Sequence, residues 1–168
     1  KRIRNDLNYK NIRGNVDTRI SKLNNNEYDG IVLSKAGIKS LDLNHLISEE
    51  FSIENLIPSA GQGTISIQCR EDDVEILEIL GKVNDHISSI SAISERKVLK
   101  ILEGDCYTPV GVFANINNGN FKISGELFST DGKKRYFKTI KDKTTNYLNA
   151  SVELGKYLKA EAKESYKK

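Results

Sequence analysis

At 168 residues with 38% apolar side chains, the chain is long enough to bury a core in one ordinary domain or two small ones. Its 26 basic and 23 acidic residues are interspersed and leave a net charge of +3, which indicates no concentrated basic surface for nucleic acid or a membrane. No run of about 18 apolar residues could span a bilayer, and no signal-peptide pattern opens the chain. We therefore expect a globular, cytoplasmic protein, and the lack of any methionine leads us to expect a truncated start.

The first elements in chain order are a helix, a strand and a second helix. Asp17 can cap a helix over residues 18–23. The apolar run Ile31–Leu33 follows the turn-like sequence NNNEYDG and predicts a buried strand. After it, AGIKSLDLNHLI repeats apolar residues at helical spacing. This order is typical of an α/β layer.

A connector and a second strand–helix pair follow. One proline and two glycines interrupt FSIENLIPSAGQG, which therefore reads as a connector. TISIQCR alternates apolar and polar residues, the period of a half-buried strand. EDDVEILEILGKV predicts a helix with acidic residues in its first turn and Gly81 at its end.

A different organisation begins near residues 82–86. Asn84 or Asp85 can cap a long amphipathic helix that stops at Gly104. The apolar positions of this helix recur at helical spacing: Ile87, Ile90, Ile93, Leu99 and Leu102.

Three strand-like runs and a last helix complete the chain. Asn118-Gly119 and Asp131-Gly132 separate the runs and are strong hairpin signals. The last helix is expected over about residues 144–163, with four residues available for its buried side: Leu148, Val152, Leu154 and Leu158. A helix, three antiparallel strands and a helix describe a separate α+β module.

The two cysteines differ in their surroundings. Cys106 follows a helix end in a loop bounded by Gly104 and Pro109, where a thiolate could act as a nucleophile. The alternative is that it is a small buried apolar residue, which describes most free cysteines. Cys69, on an alternating strand, fits the buried role better. Without a CxxC motif or clustered histidines, neither a disulfide framework nor a zinc site is indicated.

Basic residues gather where a loop enters the first helix, in RGNVDTRISKL. Arg13, Arg19 and Lys22 lie close together there, and arginine forks combined with helix N–H groups can hold a carboxylate. The alternative is surface ion pairing with Asp17 or Glu27.

Four segments together resemble the porphobilinogen deaminases (hydroxymethylbilane synthases). RGNVDTRISKL, EYDGIVLSKAGIKSL, PSAGQGTISIQCR and SERKVLKILEGDCYTPVG follow in the family's order and spacing over nearly the whole chain. The resemblance implies a three-domain enzyme with two periplasmic-binding-protein-like domains and a third α+β domain. It assigns residues 1–63 to a partial second domain with its hinge. Residues 64–84 would return to a missing first domain, and residues 85–168 would form the third domain.

The resemblance also implies the chemistry. Four porphobilinogen molecules are joined head to tail on a dipyrromethane cofactor, and hydrolysis releases hydroxymethylbilane for haem biosynthesis. Cys106 would carry the cofactor through a thioether, with Arg13 and Arg19 binding carboxylates. The backbone around Leu33, Ser34 and Gly37 would line the cofactor, and Gln62 would lie in the hinge. No metal is implied, and the full-length enzyme is expected to be monomeric.

Departures from the family pattern limit what this chain can do. The general acid, an aspartate of the first domain, is missing, so we expect the chain alone to be inactive. Ser40 stands where a basic residue is frequent. Asp105 replaces the more frequent glycine, and its charge could raise the pKa of the neighbouring thiol.

Two non-catalytic functions compete with this interpretation. Half of a periplasmic-binding-like unit could simply bind a small anion. The module of residues 86–168 has the element order of a double-stranded RNA-binding domain, which places basic residues at the start of its last helix. Here that turn reads TTNYLNA and the lysines come at the far end, so RNA binding is disfavoured.

Overall fold

The structure, a computed structural model, describes residues 4–105 and 107–167, which divide into one unit that ends at Phe51 and a second that begins at Ser52. Cys106, whose role was inferred from the sequence, lies outside the described residues. In these ranges no helix combines the length and the apolar character needed to cross a membrane.

The first unit contains two short helices. α1 spans Val16–Asn24 and α2 spans Lys35–Lys39, followed by a 3₁₀ turn over Asn44–Leu46. Asp17 does not cap α1, because the helix begins two residues earlier, with Asn15 at the N-cap position. The carboxylate of Asp17 instead lies in the first turn, where the helix dipole favours it.

The strand predicted at Ile31–Leu33 is wrong, because residues 31–34 pair with no strand. Val32 is 68% exposed and does not enter a core. The helix expected after this run is also shorter than its periodicity predicts, since α2 ends at Lys39. An apolar run becomes a strand only when a neighbouring strand takes up its N–H and C=O groups, and the first unit offers none in its described residues.

The strand predicted over TISIQCR is wrong for the same reason. Residues 64–70 form no strand, and Ile65 is 91% exposed. The helix after it is confirmed as α3, Val74–Val83, and the Asp73 side chain caps it by accepting from the Ile76 N–H at 3.3 Å. Gly81 lies inside the last turn of α3 and does not end it.

The long helix is confirmed as α4, His86–Ile101, and Asp85 caps it by accepting from the Ser88 N–H at 2.7 Å. Its buried face differs from the expected one, because Ile87 and Ile93 are exposed. The face turned to the core repeats every four residues: Ile90, Ser94, Val98 and Leu102. Small Ser94 is accommodated because its hydroxyl donates to the Ile90 carbonyl at 2.7 Å.

The predicted antiparallel sheet is confirmed, with strand order β1-β2-β3. β1 spans Val110–Asn117, β2 spans Asn120–Phe128 and β3 spans Arg135–Lys143. At the first hairpin both Asn118 (φ 50°) and Gly119 (φ 77°) are left-handed, as a two-residue turn of this kind requires.

α5, Tyr147–Ala162, follows a 3₁₀ turn at Thr144–Asn146 and packs with α4 on one face of the sheet. Leu148, expected on the buried side, is 44% exposed. Gly155 instead faces α4, because a Cβ there would lie 2.9 Å from the Ile101 Cβ. The core joins these helices to the sheet through Val98, Leu102, Val112, Phe121, Ile123, Leu127, Leu154 and Leu158, all of which are fully or almost fully buried.

Candidate functional site

The loop that carries Cys106 begins at a tightly turned helix end. After α4 the backbone passes through Glu103 in the left-handed region (φ 55°), and the Gly104 N–H donates back to the Leu99 carbonyl at 3.1 Å. A Cβ on Gly104 would lie 2.7 Å from the Leu99 Cδ1 and 3.1 Å from the Thr108 Oγ1. A side chain at residue 104 would have to displace the side chains of Leu99 and Thr108, so the start of the loop is closely packed.

Asp105 holds the two sides of this loop together. Its Oδ1 accepts hydrogen bonds from the Tyr107 N–H at 2.8 Å, the Thr108 N–H at 3.0 Å and the Thr108 hydroxyl at 3.1 Å. The Asp105 N–H donates to the Thr108 Oγ1 at 2.9 Å. The bond from the Tyr107 N–H, reinforced by Thr108, lowers the pKa of Asp105, so a carboxylate charge flanks position 106 at neutral pH.

Arg19 and Lys22 of α1 are brought to the loop that contains Arg13. The Arg19 Nε donates to the Gly14 carbonyl at 2.7 Å, and the Lys22 Nζ donates to the Arg13 carbonyl at 3.3 Å. In the described part of the chain none of these three cations forms an ion pair within 4 Å. The surface ion pairs with Asp17 or Glu27 are therefore not formed there, and the positive charges are available to a bound anion.

The residues predicted to line a cofactor lie beside this basic loop. Leu33 and Ser34 lead into α2, and the Ser34 carbonyl accepts from the Ile38 N–H at 3.3 Å. A Cβ on Gly37 would lie 3.3 Å from the Val16 Cγ2, so α2 approaches the N-terminus of α1 closely at this glycine. Ser40, at the position where a basic residue is frequent, donates its hydroxyl to the Gly37 carbonyl at 3.0 Å.

Gln62 lies exposed in a turn of the connector. Its N–H donates to the Ser59 carbonyl at 3.0 Å, and the flanking Gly61 and Gly63 have φ values of 77° and 83°. Residues with a Cβ rarely adopt these angles, so both glycines are needed for the turn. The connector therefore has a defined backbone path where a hinge was predicted.

Glu95, which the sequence analysis did not single out, fixes this connector. The side chain comes from the middle of α4, and the residue is only 7% exposed. Its Oε2 accepts from the Gly61 N–H at 2.7 Å and its Oε1 from the Ala114 N–H of β1 at 2.9 Å. Burial raises the pKa of Glu95, and the two N–H bonds oppose that rise.

Glu126 makes a second attachment of the same kind. It is 3% exposed, and its Oε1 accepts from the Ile57 N–H at 3.1 Å while its Oε2 accepts from the Arg135 Nε at 2.8 Å. Between the two carboxylates, the Val112 N–H of β1 donates to the Pro58 carbonyl at 2.9 Å. The connector thus satisfies edge groups of β1 that a fourth strand would otherwise satisfy.

The one sequence signal for Glu95 is its position three residues before buried Val98, on the inward side of α4. A charged residue at such a position needs a partner. That partner is a loop more than 30 residues away, which helical periodicity cannot identify.

The remaining candidates are Cys69 and a metal site. Cys69 is a free, partly buried thiol. Within residues 4–105 and 107–167, no group of three or more His, Cys, Asp or Glu side chains is arranged to hold a metal ion.

Comparison with known proteins identifies two matching family models. Residues 1–78 match the model described as "Porphobilinogen deaminase, dipyromethane cofactor binding domain", and residues 89–164 match "Porphobilinogen deaminase, C-terminal domain".

Individual relatives carry the same name. The chain is 39% identical to porphobilinogen deaminase of Staphylococcus carnosus over 153 residues, which is 90% of this chain and 48% of that protein. It is 40% identical to a Prochlorococcus marinus porphobilinogen deaminase over 152 residues, covering 90% of this chain and 47% of that protein. A Lysinibacillus sphaericus relative is 39% identical over 139 residues, 82% of this chain and 45% of its own length. The chain therefore spans about half the length of the curated relatives it matches.

Proposed function

Because this chain belongs to the porphobilinogen deaminase family, we propose that it forms the C-terminal half of an enzyme that joins four porphobilinogen molecules into hydroxymethylbilane. The observation that carries the proposal is that two family models match in order and together cover residues 1–78 and 89–164. The substrate is a pyrrole with acetate and propionate side chains, so a site for it needs several cations.

We assign residues 1–63 to a partial, periplasmic-binding-protein-like second domain with its hinge, and residues 64–84 to a segment that returns to the first domain. Residues 85–168 form the third domain. The exposed apolar residues of segment 64–84 support its assignment, since Ile65, Ile67 and Val74 are each more than 60% exposed. Side chains of this size are normally buried, so the segment is completed by the part of the relatives that this chain does not match.

The residues of the first unit fit a cofactor rich in carboxylates. Arg13 and Arg19 form no ion pair among the described residues, and they lie near the N-terminus of α1, where helix N–H groups also favour an anion. We propose that both guanidinium groups hold carboxylates of the cofactor and the growing chain. Leu33, Ser34 and Gly37 then present backbone groups beside them.

The thiol of Cys106 is proposed to hold the dipyrromethane through a thioether. A thiolate suits this bond because it is a strong nucleophile at neutral pH and needs no adjacent base. The covalently held dipyrromethane supplies the pyrrole end to which the porphobilinogen units are joined. Asp105 and Thr108 keep the flanking backbone in one conformation, and Gln62 lies in the connector at the hinge.

The general acid that protonates the departing amine is proposed to belong to the first domain. We therefore expect the 168-residue chain alone to release no hydroxymethylbilane from porphobilinogen, and a longer protein that contains it to do so. The measurement is product formation by each protein under the same conditions. Product from the chain alone would show that the general acid is wrongly assigned, and none from the longer protein would contradict the proposed activity.

A simple anion-binding module remains the competing function. It would bind carboxylated pyrroles without needing Cys106, so a Cys106→Ser variant of the longer protein would keep full binding and show no further defect. Double-stranded RNA binding gains no support at the start of α5, where Tyr147, Leu148 and Asn149 provide no basic side chain. The cytoplasmic location and the monomeric state of the full-length enzyme stay predictions.

A further inference from the structure

The end of the chain folds back against the start of the cysteine loop. α5 ends at Ala162, and residues 163–167, here called the C-terminal segment, turn away from the helix through Lys163 (φ 51°). Tyr166 in this segment is 3% exposed, and its hydroxyl donates to the Leu102 carbonyl at 3.0 Å. A tyrosine this deeply buried near a chain end is part of the packed structure.

The bond from Tyr166 satisfies a helix-end carbonyl. The last carbonyl groups of a helix have no N–H partner within that helix, and Leu102 is the C-cap of α4. The next residue, Glu103, has a left-handed backbone, which residues with a Cβ adopt infrequently. Lys159 of α5 pairs with the Glu103 carboxylate at 2.8 Å, and Lys167 of the C-terminal segment lies 3.8 Å from it.

The C-terminal segment is itself anchored to the sheet. The Ser165 carbonyl accepts from the Thr130 N–H at 2.9 Å in the turn between β2 and β3. The Tyr136 hydroxyl of β3 and the Ser165 Oγ are 3.2 Å apart and share a hydrogen bond. Tyr166 therefore connects the end of α4 to a platform that is tied to the core.

We propose that Tyr166 is a positioning residue for the cysteine loop, residues 104–109. Through its hydroxyl it fixes the Leu102 carbonyl, and with it the left-handed turn at Glu103 from which the loop departs. The purpose of this coupling, holding Cys106 where the cofactor is needed, rests on the proposed function. The hydrogen bond from Tyr166 to Leu102 lies within the 168-residue chain and does not depend on that function.

The test replaces only the hydroxyl, in the variant Tyr166→Phe of the 168-residue chain. The measurement is amide hydrogen exchange at Glu103, Gly104 and Thr108. We expect exchange at Glu103 and Gly104 to become about fivefold faster, the effect of losing one ordinary hydrogen bond from a local opening. The rate at which iodoacetamide modifies Cys106, relative to Cys69, should rise in the same variant.

Two further variants separate positioning from general stabilisation. Tyr157→Phe removes a hydroxyl from α5, where the ring lies beneath Lys138, and should leave the loop amides unchanged. Ile123→Val weakens the core of the sheet without touching the loop. If Tyr166→Phe accelerates exchange at Glu103 and Gly104 no more than Ile123→Val does, Tyr166 has only a structural role and the inference is wrong. Neither result depends on whether Cys106 carries a cofactor, so failure here is distinguishable from failure of the proposed function.

Discussion

Replacing Glu95 tests how the connector is held on the C-terminal unit. In Glu95→Gln the side chain keeps its shape but loses its charge and one of its two acceptor oxygens. The amide nitrogen that replaces an oxygen cannot accept, so either the Gly61 or the Ala114 N–H faces another donor.

The magnitude follows from two opposing effects. An unpaired buried N–H costs about 1–3 kcal/mol, and the remaining bond loses the strengthening given by a charged acceptor. Removing the buried charge more than offsets the lost strengthening, since burial is the main cause of the raised pKa of Glu95, so the unpaired N–H is the net loss. We expect the unfolding free energy of Glu95→Gln to fall by about 1 kcal/mol and that of Glu95→Ala, which loses both bonds, by about 3 kcal/mol.

The pH dependence has a definite sign. The folded-state pKa of Glu95 lies above its ordinary value of 4.5, so the protonated group contributes most to stability below that value. This contribution is lost as pH rises through the folded-state pKa. The stability difference between the wild type and Glu95→Gln should therefore be largest in acid and narrow as pH rises.

The assay is urea unfolding of the wild type and each variant between pH 4 and 8. Glu161→Gln, an exposed position on α5, serves as the control and should change the unfolding free energy little. A difference that widens as pH rises would refute the reasoning, because it would mean that the two N–H bonds outweigh the cost of burying the charge. No loss of stability in Glu95→Ala would show that the connector is not held by this carboxylate.

Three other substitutions test separate parts of the structure. Gly111→Ala places a Cβ 2.5 Å from the Ile57 carbonyl oxygen, so thermal unfolding should show that the free energy of unfolding falls by about 2 kcal/mol. The control is Gly81→Ala, which has open space around the new Cβ and should leave the free energy of unfolding unchanged or slightly higher. In the full-length protein, Arg19→Ala and Arg13→Ala should stall chain elongation or cofactor assembly, because a carboxylate in the closed site loses its charge-assisted partner. The control for turnover is Arg4→Ala, because the Arg4 guanidinium already pairs with nearby Asp6. Wild-type activity in the Arg19 and Arg13 variants would show that those arginines bind no cofactor or substrate carboxylate.

The elements of residues 85–167 were predictable because their signals are local. Asn118-Gly119 supplies the left-handed angles that a tight hairpin needs, and the spacing of apolar residues separates helices from strands. The assignment of buried faces was less successful. Ile87 and Ile93 are apolar yet exposed, because the face of α4 that packs on the core is the one that carries Ile90, Ser94 and Val98.

The two wrong strands show where local signals are insufficient. Ile31–Leu33 and TISIQCR have strand-like composition, but a strand requires a partner, and the described residues outside β1–β3 provide no ladder. The same limit applies to the connector. Nothing near Gly61 in sequence indicates that Glu95, 34 residues later, accepts its N–H.

Only part of the candidate site could be predicted from the sequence. Pattern reasoning left both the arginine cluster and Cys106 with open alternatives, and the resemblance to a family decided between them. The structure adds that Arg13, Arg19 and Lys22 form no ion pairs among the described residues. It also adds that Asp105 organises the loop as a hydrogen-bond acceptor, a role that its charge alone did not suggest.

The most direct test of the proposed function is to map the covalent cofactor. Full-length protein is purified, digested and examined by mass spectrometry, beside its Cys106→Ser and Cys69→Ser variants. We predict that the wild type and Cys69→Ser carry dipyrromethane on the peptide that contains Cys106, and that Cys106→Ser folds but carries none. Dipyrromethane on Cys69, or on neither cysteine, would contradict the assignment.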